Sequence, residues 1–241
     1  MPLRAITFDY WDTLYVGTPP PARKDRARAI LRELLRRLGH ELDPDTFEAL
    51  YQASAREADR WWREEHRGYT ADERIRWMLR QLAIDRPATC EHVTWAVREI
   101  DATMIAEPPP LLPGVAEGIR TLAREFDLAI ISDTGFASGE AQNQVLARDG
   151  LRDAFRATIY SMDIGHAKPR PEPFVAALTT LGIDPSEALH VGDNERTDVG
   201  GALGVGMRAV RVDIVRENGE SKAELVARRF DDLVRYLRRA A

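Results

Sequence analysis

AITFDYWDTLY, residues 5–15, is the stretch from which the fold of this chain can be read. It begins with an apolar run in which Ile6 and Phe8 are strand formers with few polar neighbours, and this composition predicts a buried parallel strand. The run ends at Asp9, and ligands bind at the carboxyl ends of the strands in open α/β sheets. Asp9 is therefore a candidate nucleophile or metal ligand. On this stretch alone a second interpretation stays open, in which Asp9 only caps the following turn.

The composition is typical of a globular protein, and 241 residues suffice for one domain or two. Hydrophobic residues make up 44% of the chain and charged residues 30%, and 34 Lys and Arg against 39 Asp and Glu give a net charge of −5. This balance does not favour a nucleic acid or a membrane surface as a partner. The single cysteine, Cys90, excludes an internal disulfide, suits a reducing compartment and is expected to be a small core residue. No apolar run approaches the roughly 18 residues of a membrane span, and the first strand begins too early for a signal peptide, so we expect a cytoplasmic protein.

Residues 16–110 are predicted to be all-helical, and a proline run, 19–21 or 108–110, lies near each end of the segment. Prolines in series block both helix propagation and strand pairing. Between them, apolar residues recur at helical spacing, Asp43-Pro44 opens one helix, and Thr70 begins a capping box for another. The pattern predicts an inserted helical domain with two linkers.

From Leu111 onward the pattern changes to alternating strands and helices. Strands are predicted at 128–132, 157–160, 188–193 and 207–212, with helices between them, including 198–205, and one or two closing helices within 223–239. This alternation predicts a parallel sheet with helices on both faces.

Polar side chains stand where several of these strands end. Asp9, Ser132 and Asp193 each end a strand, and Lys168 comes just before a helix-opening proline. Two carboxylates at one sheet edge repel each other unless a cation lies between them. Mg²⁺ is the natural cation, because one or two carboxylates, waters and phosphate oxygens satisfy it. A lysine and a hydroxyl suit the oxygens of a transferring phosphoryl group, so the arrangement suggests attack by Asp9 on phosphorus with a covalent aspartyl intermediate.

Four motifs together resemble those of the haloacid dehalogenase superfamily over nearly the whole chain. They are Phe8-Asp9-x-x-x-Thr13-Leu14, Ile130-Ile131-Ser132-Asp133-Thr134-Gly135, Lys168-Pro169-x-Pro171-x-Pro173-Phe174 and Gly192-Asp193-Asn194-x-x-x-Asp198. Each motif alone is weak, but chance does not account for four in the family's order, each beside its own strand or helix. The resemblance implies an α/β fold with a Rossmann-like, doubly wound parallel-sheet core (1–15 and 111–241). It also implies an inserted all-helical cap domain (16–110).

The resemblance also implies three groups of site residues. The implied catalytic residues are Asp9 as nucleophile, Ser132 on the phosphoryl group and Lys168 as the charge-neutralising base. The implied Mg²⁺ ligands are Asp9, Asp193 and the backbone carbonyl of Trp11, with Asn194 and Asp198 in support. The implied substrate-binding residues are Trp11, Thr13, Asp133 and Thr134.

One position departs from the pattern of the family's phosphatases, which carry an aspartate two residues after the nucleophile to protonate the leaving group. Here that residue is Trp11, whose indole cannot perform acid–base chemistry. Asp12 is one residue too far along and points in a different direction. The superfamily's haloalkanoate dehalogenases also have an aromatic residue there, need no leaving-group proton and use no metal. Their fourth motif, however, resembles Ser-Ser-Asn where this chain has Gly192-Asp193, and they carry a tyrosine in place of Phe174.

Three functions follow as hypotheses. The leading one is Mg²⁺-dependent hydrolysis of a small phosphate monoester through an aspartyl-phosphate on Asp9. The alternatives are a 2-haloacid dehalogenase with the same nucleophile, and a weakly catalytic phosphate-binding protein, because Trp11 removes the acid. Under any of them Trp61 and Trp62 are candidate walls of the substrate pocket. No pattern in the sequence indicates an oligomeric state.

Overall fold

The apolar run before Asp9 forms a central strand of a six-stranded parallel sheet in the computed structural model, which describes residues 2–239. The strands are β1 (Ala5–Phe8), β2 (Asp127–Ser132), β3 (Phe155–Tyr160), β4 (Ala188–Gly192), β5 (Arg208–Val212) and β6 (Leu225–Ala227). Their spatial order is β3-β2-β1-β4-β5-β6, and every neighbouring pair is parallel. The chain winds outward from β1 in both directions, which places a topological switch point between β1 and β4.

Four helices lie between β1 and β2 in the chain: α1 (Pro21–Arg37), α2 (Pro44–Arg63), α3 (Ala71–Gln81) and α4 (Cys90–Ala106). They share an apolar cluster of their own, which buries Phe47 and Ile75 completely. The capping box between Thr70 and Glu73 is present at the start of α3. The helices predicted within residues 16–110 are thus confirmed, and the division of the chain into a core and a separate cap domain remains a proposal.

The two connections to this helical segment lie side by side. The backbone N–H of Val16 donates to the carbonyl of Pro110 at 3.0 Å, and the N–H of Leu112 donates to the carbonyl of Leu14 at 2.9 Å. The chain therefore leaves the sheet for the helices and returns from them at one place, shortly after β1.

Helices cover both faces of the sheet because successive strand residues point to opposite sides. The remaining helices are α5 (Val115–Leu122), α6 (Gly139–Arg148), α7 (Ser161–Ile164), α8 (Pro171–Leu181), α9 (Gly200–Gly204) and α10 (Phe230–Arg239). Ile6 and Phe8 pack in one apolar layer with α5, α6 and α10. Ala5 packs in the opposite layer with α8 and α9. The predicted doubly wound α/β fold is confirmed.

Two local predictions are wrong. Within 223–239, Leu225–Ala227 is a strand that pairs with β5, and the only helix there is α10. Three residues carry little period-two signal, and the pairing with β5 is non-local, so local pattern could not reveal it. The helix predicted at 198–205 is confirmed, but it begins earlier, as a π-helical turn at Glu195–Val199 that continues into α9. Cys90, expected in the core, is exposed at the start of α4.

Among residues 2–239, none of the helices combines the length and the apolar character that a membrane span requires.

Candidate active site

The carboxyl ends of β1 and β4 meet at the switch point, and Lys168 joins them there. Its ammonium Nζ lies 2.6 Å from Oδ1 of Asp9 and 2.7 Å from Oδ1 of Asp198, and it donates to the carbonyl of Ile131 at 2.9 Å. Lys168 is only 1% exposed. Burial lowers its pKa, but the carboxylates of Asp198, Asp9 and Asp133 outweigh burial and hold the pKa above its ordinary value. Lys168 is therefore a fixed positive charge next to the candidate nucleophile.

Three carboxylates form an acidic cluster that can hold a divalent metal. One oxygen each from Asp9, Asp193 and Asp198 lies within 4.8 Å of the other two. Burial raises the pKa of Asp193 to about 7, and the nearby charges of Asp198 and Asp12 add to the rise. Burial also raises the pKa of Asp9 well above its usual range. A hard divalent cation among these oxygens would offset both burial and repulsion, so the donor set fits such an ion.

A hydrogen-bond network holds Asp198 in this cluster. Its Oδ2 accepts from the backbone N–H of Asn194 at 2.9 Å, and its Oδ1 lies 3.3 Å from Nε2 of His190. Nδ1 of His190 lies 2.7 Å from the hydroxyl of Thr7. A Cβ on Gly192 would come within 2.3 Å of Cγ of Asp198, so this position requires glycine. His190 gave no functional signal in the sequence, because its role depends on Asp198, eight residues further along the chain.

The side chain of Asn194 supports the same turn. Its Oδ1 accepts from the backbone N–H groups of Arg196 and Thr197 at 3.0 and 3.1 Å, which caps the π-helical turn that carries Asp198. Burial tends to raise the pKa of Asp198, but Lys168 and His190 outweigh it and hold the pKa below its usual value. Asp198 therefore stays ionised beside Lys168.

The residues predicted to bind substrate differ in how they meet this cluster. The hydroxyl of Thr13 donates to Oδ2 of Asp9 at 3.3 Å. Asp133 accepts from Nε1 of Trp62 at 2.9 Å and from the backbone N–H of Lys168 at 3.0 Å. The N–H of Thr134 donates to Oγ of Ser161 at 3.0 Å. Asp133 therefore links helix α2 to the Lys168 loop.

Ser132 stands apart from the other predicted site residues. It is buried and does not line the cavity described below. Its hydroxyl donates to Oε1 of Gln142 at 2.9 Å. Contact between Ser132 and a phosphoryl group would require this hydroxyl to leave Gln142.

A cavity of about 370 Å³, termed the catalytic cavity, opens over the acidic cluster. Asp9, Lys168, Asp193 and Asp198 line its floor, and Ala55, Ala58, Asp59 and Trp62 of α2 form part of its wall. Trp11 lines it as well, and so do Asp133 and Thr134. The structure thus brings nearly all of the predicted site residues to one cavity.

Arg216 also lines the catalytic cavity, but it was not among the site residues predicted from the sequence. Its Nη2 lies 2.6 Å from Oδ2 of Asp12 and 3.6 Å from Oδ2 of Asp193. The backbone of Asp12 is in the left-handed region (φ 54°), and its carboxylate accepts a hydrogen bond from the backbone N–H of Gly17 at 2.7 Å. Both features fix the position of the carboxylate that Arg216 contacts. Arg216 lies in the loop after β5, where no motif marks it, and its contact with Asp12 spans 204 residues of chain.

The loop between α2 and α3 lies against the loop that carries Lys168. The N–H of Ala167 donates to the carbonyl of His66 at 2.9 Å, and the N–H of Gly68 donates to the carbonyl of Gly165 at 3.2 Å. A Cβ on Gly68 would lie 1.8 Å from the carbonyl oxygen of Ser161, so only glycine permits this approach. The helical segment is thus in direct contact with the loop that carries Lys168.

The chain belongs to the haloacid dehalogenase-like hydrolases, whose family profile matches residues 3–206. Ribulose-1,5-bisphosphate 5-phosphatase from Halopiger xanaduensis is 29% identical over 222 residues, which cover 91% of this chain and 88% of that protein. Glyceraldehyde 3-phosphate phosphatase from Methanopyrus kandleri is 27% identical over 213 residues, with coverage of 87% and 84%. Among solved structures, a 2-haloacid dehalogenase from Pseudomonas syringae pv. Tomato superposes with a TM-score of 0.74 at 26% identity, covering 99% of this chain and 100% of that one.

The resemblance seen in the motifs is thereby confirmed, and the protein is a hydrolase of this family. The names of its curated relatives favour a phosphatase over a dehalogenase.

Proposed function

We propose that this protein hydrolyses a small phosphate monoester, with Mg²⁺ at the acidic cluster and Asp9 as the nucleophile. The observation that carries the proposal is the joint placement of Asp9, Asp193, Asp198 and Lys168 on the floor of one cavity. Carboxylates and a lysine in this arrangement suit the binding of a metal and of phosphoryl oxygens. Residues 16–110 serve as the cap that covers the site.

The proposed reaction has two steps. A carboxylate oxygen of Asp9 forms a bond to phosphorus, while the bond between phosphorus and the ester oxygen breaks. The leaving group departs as an alkoxide and takes its proton from water, because Trp11 has none to give. Water then attacks the aspartyl-phosphate, which releases inorganic phosphate and regenerates the carboxylate of Asp9. Lys168, held by Asp198 and Ile131, stabilises negative charge on the phosphoryl oxygens in both steps.

Asp9, Asp193 and the backbone carbonyl of Trp11 would hold Mg²⁺, with Asp198 and Asn194 as supporting groups. The bound ion would supply charge neutralisation and orientation of the phosphoryl group. Asp198 suits a supporting role because Lys168 and the N–H of Asn194 already occupy its two oxygens.

Removal of the metal tests the metal site. In EDTA, release of phosphate from p-nitrophenyl phosphate should fall at least about 10²-fold and return on addition of excess Mg²⁺, since a bound metal contributes several kcal/mol to such reactions.

Asp193→Asn should raise the Mg²⁺ concentration needed for half-maximal activity. Asp59→Asn is the matched control, because Asp59 lines the same cavity but pairs with Arg63 at 2.7 Å. Undiminished activity in EDTA, together with chloride release from 2-chloropropionate, would instead support the metal-free dehalogenase hypothesis.

Trp11 carries a second test, because it stands where the family's phosphatases have their acid. General acid catalysis contributes about 10²–10⁴-fold, so Trp11→Asp should raise turnover of alkyl phosphates by part of that factor. The gain should be much smaller on p-nitrophenyl phosphate, whose leaving group departs without a proton. Trp11→Asn is the matched control, since it leaves the same space without an acid. Equal effects of the two substitutions on both substrates would show that Trp11 is a pocket wall and does not occupy the acid's place.

A further inference from the structure

A second cavity of about 520 Å³ adjoins the catalytic cavity, and Trp11, Asp133 and Gly135 line both. It lies between the helical segment and the sheet, and four cationic side chains line it: Arg23, Lys24, Arg28 and Arg74. We call it the basic cavity. When a phosphoryl group is bound over Asp9, the alcohol portion attached to it can extend past Trp11 into the basic cavity.

Arg74 of α3 is a buried cation whose bonds within the protein are incomplete. It is 7% exposed, and its Nε donates to the hydroxyl of Ser54 at 3.2 Å. Its Nη2 is buried without a hydrogen-bond partner, and among residues 2–239 no carboxylate lies within ion-pair distance of it. Its guanidinium lies 4.2 Å from the ring centre of Phe136 and 5.2 Å from that of Tyr51. Cation–π contact with these rings partly stabilises the positive charge, but the rings offer no hydrogen-bond acceptor to Nη2.

Arg23 of α1 is in a similar position. It is 9% exposed, and its Nη1 donates to the backbone carbonyl of Glu107 at 3.4 Å. The carboxylate of Glu107 attracts Arg23 as well, but this carboxylate pairs with Arg26 at 2.6 Å, and among residues 2–239 Arg23 has no ion pair. Arg28 differs, because its Nε and Nη2 each lie 2.9 Å from an oxygen of Glu48. The basic cavity thus contains one paired arginine and, within the described part of the chain, two without a carboxylate partner.

A buried guanidinium without a counter-anion is costly, and arginines are rarely buried unless paired. The residues that line the basic cavity do not supply a free carboxylate that could neutralise these arginines. Asp133 is its only acidic lining residue, and the oxygens of Asp133 already accept from Trp62 and Lys168. The cavity therefore has an excess of positive charge directly beside the proposed site of phosphoryl transfer.

We propose that Arg23 and Arg74 bind a second anionic group, a carboxylate or a phosphate, on the alcohol portion of the substrate. This inference rests on the proposed phosphatase function. Guanidinium groups match the planar oxygens of carboxylates and the oxygens of phosphates with paired hydrogen bonds. Apolar side chains of Ile100, Met104 and Phe136 line the same cavity and suit the short carbon chain that would join the two anions.

Matched pairs of unhydrolysable phosphonates test this subsite by calorimetry in the presence of Mg²⁺. Methylphosphonate is compared with phosphonoacetate, ethylphosphonate with 3-phosphonopropionate, and each with the corresponding alkane bisphosphonate. The best doubly anionic member should bind at least about tenfold tighter than its singly anionic partner, because each charged hydrogen-bonded pair with a guanidinium adds to the affinity. The carboxylate and bisphosphonate series distinguish the two forms of the second anion.

Substitutions then assign the preference to the arginines. Arg74→Met should reduce the preference for the doubly anionic member by about tenfold, and Arg74→Lys should keep part of it. Arg80→Met is the matched control on the same helix and should keep all of the preference, because Arg80 is exposed, pairs with Asp85 at 3.3 Å and does not line the basic cavity. Arg23→Gln gives an independent variant on another helix if Arg74→Met fails to fold by circular dichroism.

Equal affinity within about twofold for every matched pair in the wild-type protein would overturn the subsite. A preference that survives both Arg74→Met and Arg23→Gln would overturn its assignment to these arginines. If no phosphonate binds and p-nitrophenyl phosphate is not hydrolysed, the proposed function itself has failed, which is a different result from binding without discrimination.

Discussion

Replacing Asp9 with asparagine is expected to lower hydrolysis of phosphate esters at least about 10³-fold, because an amide is a poor nucleophile and no covalent intermediate can form. The substitution keeps the shape of a side chain that is almost fully buried against Lys168 and Thr13. The fold should therefore survive, which thermal unfolding and circular dichroism would show. Turnover of p-nitrophenyl phosphate measures the effect.

Two comparisons separate loss of a nucleophile from a general loss of charge. Asp59→Asn makes the same chemical change in the wall of the same cavity, where the carboxylate is paired with Arg63, and should have little effect. Acid quenching during turnover, followed by mass spectrometry, should find a phosphoryl adduct on the peptide that contains Asp9 in the wild-type protein. Retention of about a tenth or more of wild-type turnover by Asp9→Asn would exclude Asp9 as the nucleophile.

Lys168→Met is expected to affect both stability and activity. Methionine keeps much of the length of the side chain but leaves Asp9 and Asp198 buried without their shared cation. Loss of one partner from a buried ion pair typically costs about 3–5 kcal/mol, and the free energy of unfolding measured with urea in EDTA should fall by that amount. Activity should fall at least about 10²-fold, because a fixed charge next to the transferring group is lost.

The control for this variant is Lys222→Met, which removes an equal charge from an exposed position. Its unfolding free energy should lie within the ordinary range of surface substitutions, about ±0.5 kcal/mol. An unfolding free energy of Lys168→Met within about 1 kcal/mol of the wild-type value would contradict the buried cluster. It would show that water or a conformational change stabilises the charges of Asp9 and Asp198 when the lysine is absent.

Local sequence was sufficient for the parts of this protein that depend on neighbouring residues. The four helices of 16–110 follow from apolar spacing, proline positions and the Thr70 capping box, all of which act within one or two turns. The convergence of Asp9 and Asp193 was predictable as well, because strands that are adjacent and parallel bring their carboxyl ends to one sheet edge.

Sequence reasoning did not reveal features in which a contact joins residues distant in the chain. The strand Leu225–Ala227 exists because β5 offers it an edge to pair with, and its three residues alone do not specify a strand. The hydroxyl of Ser132 turns to Gln142 on α6, a contact that no motif records. Arg216 reaches Asp12 and Asp193 from a loop without a pattern.

The fold class, the helical insertion and the chemical types at the site could be read from the amino-acid sequence, since these depend on periodicity and on the ends of strands. The pairing of the charges became visible in the folded protein. Lys168 is held between Asp9 and Asp198, Arg28 is neutralised by Glu48, and Nη2 of buried Arg74 has no hydrogen-bond partner among residues 2–239. The reason is physical: the free energy of a charge depends on its burial and on the oxygens within a few ångströms, and folding brings those oxygens from distant parts of the chain.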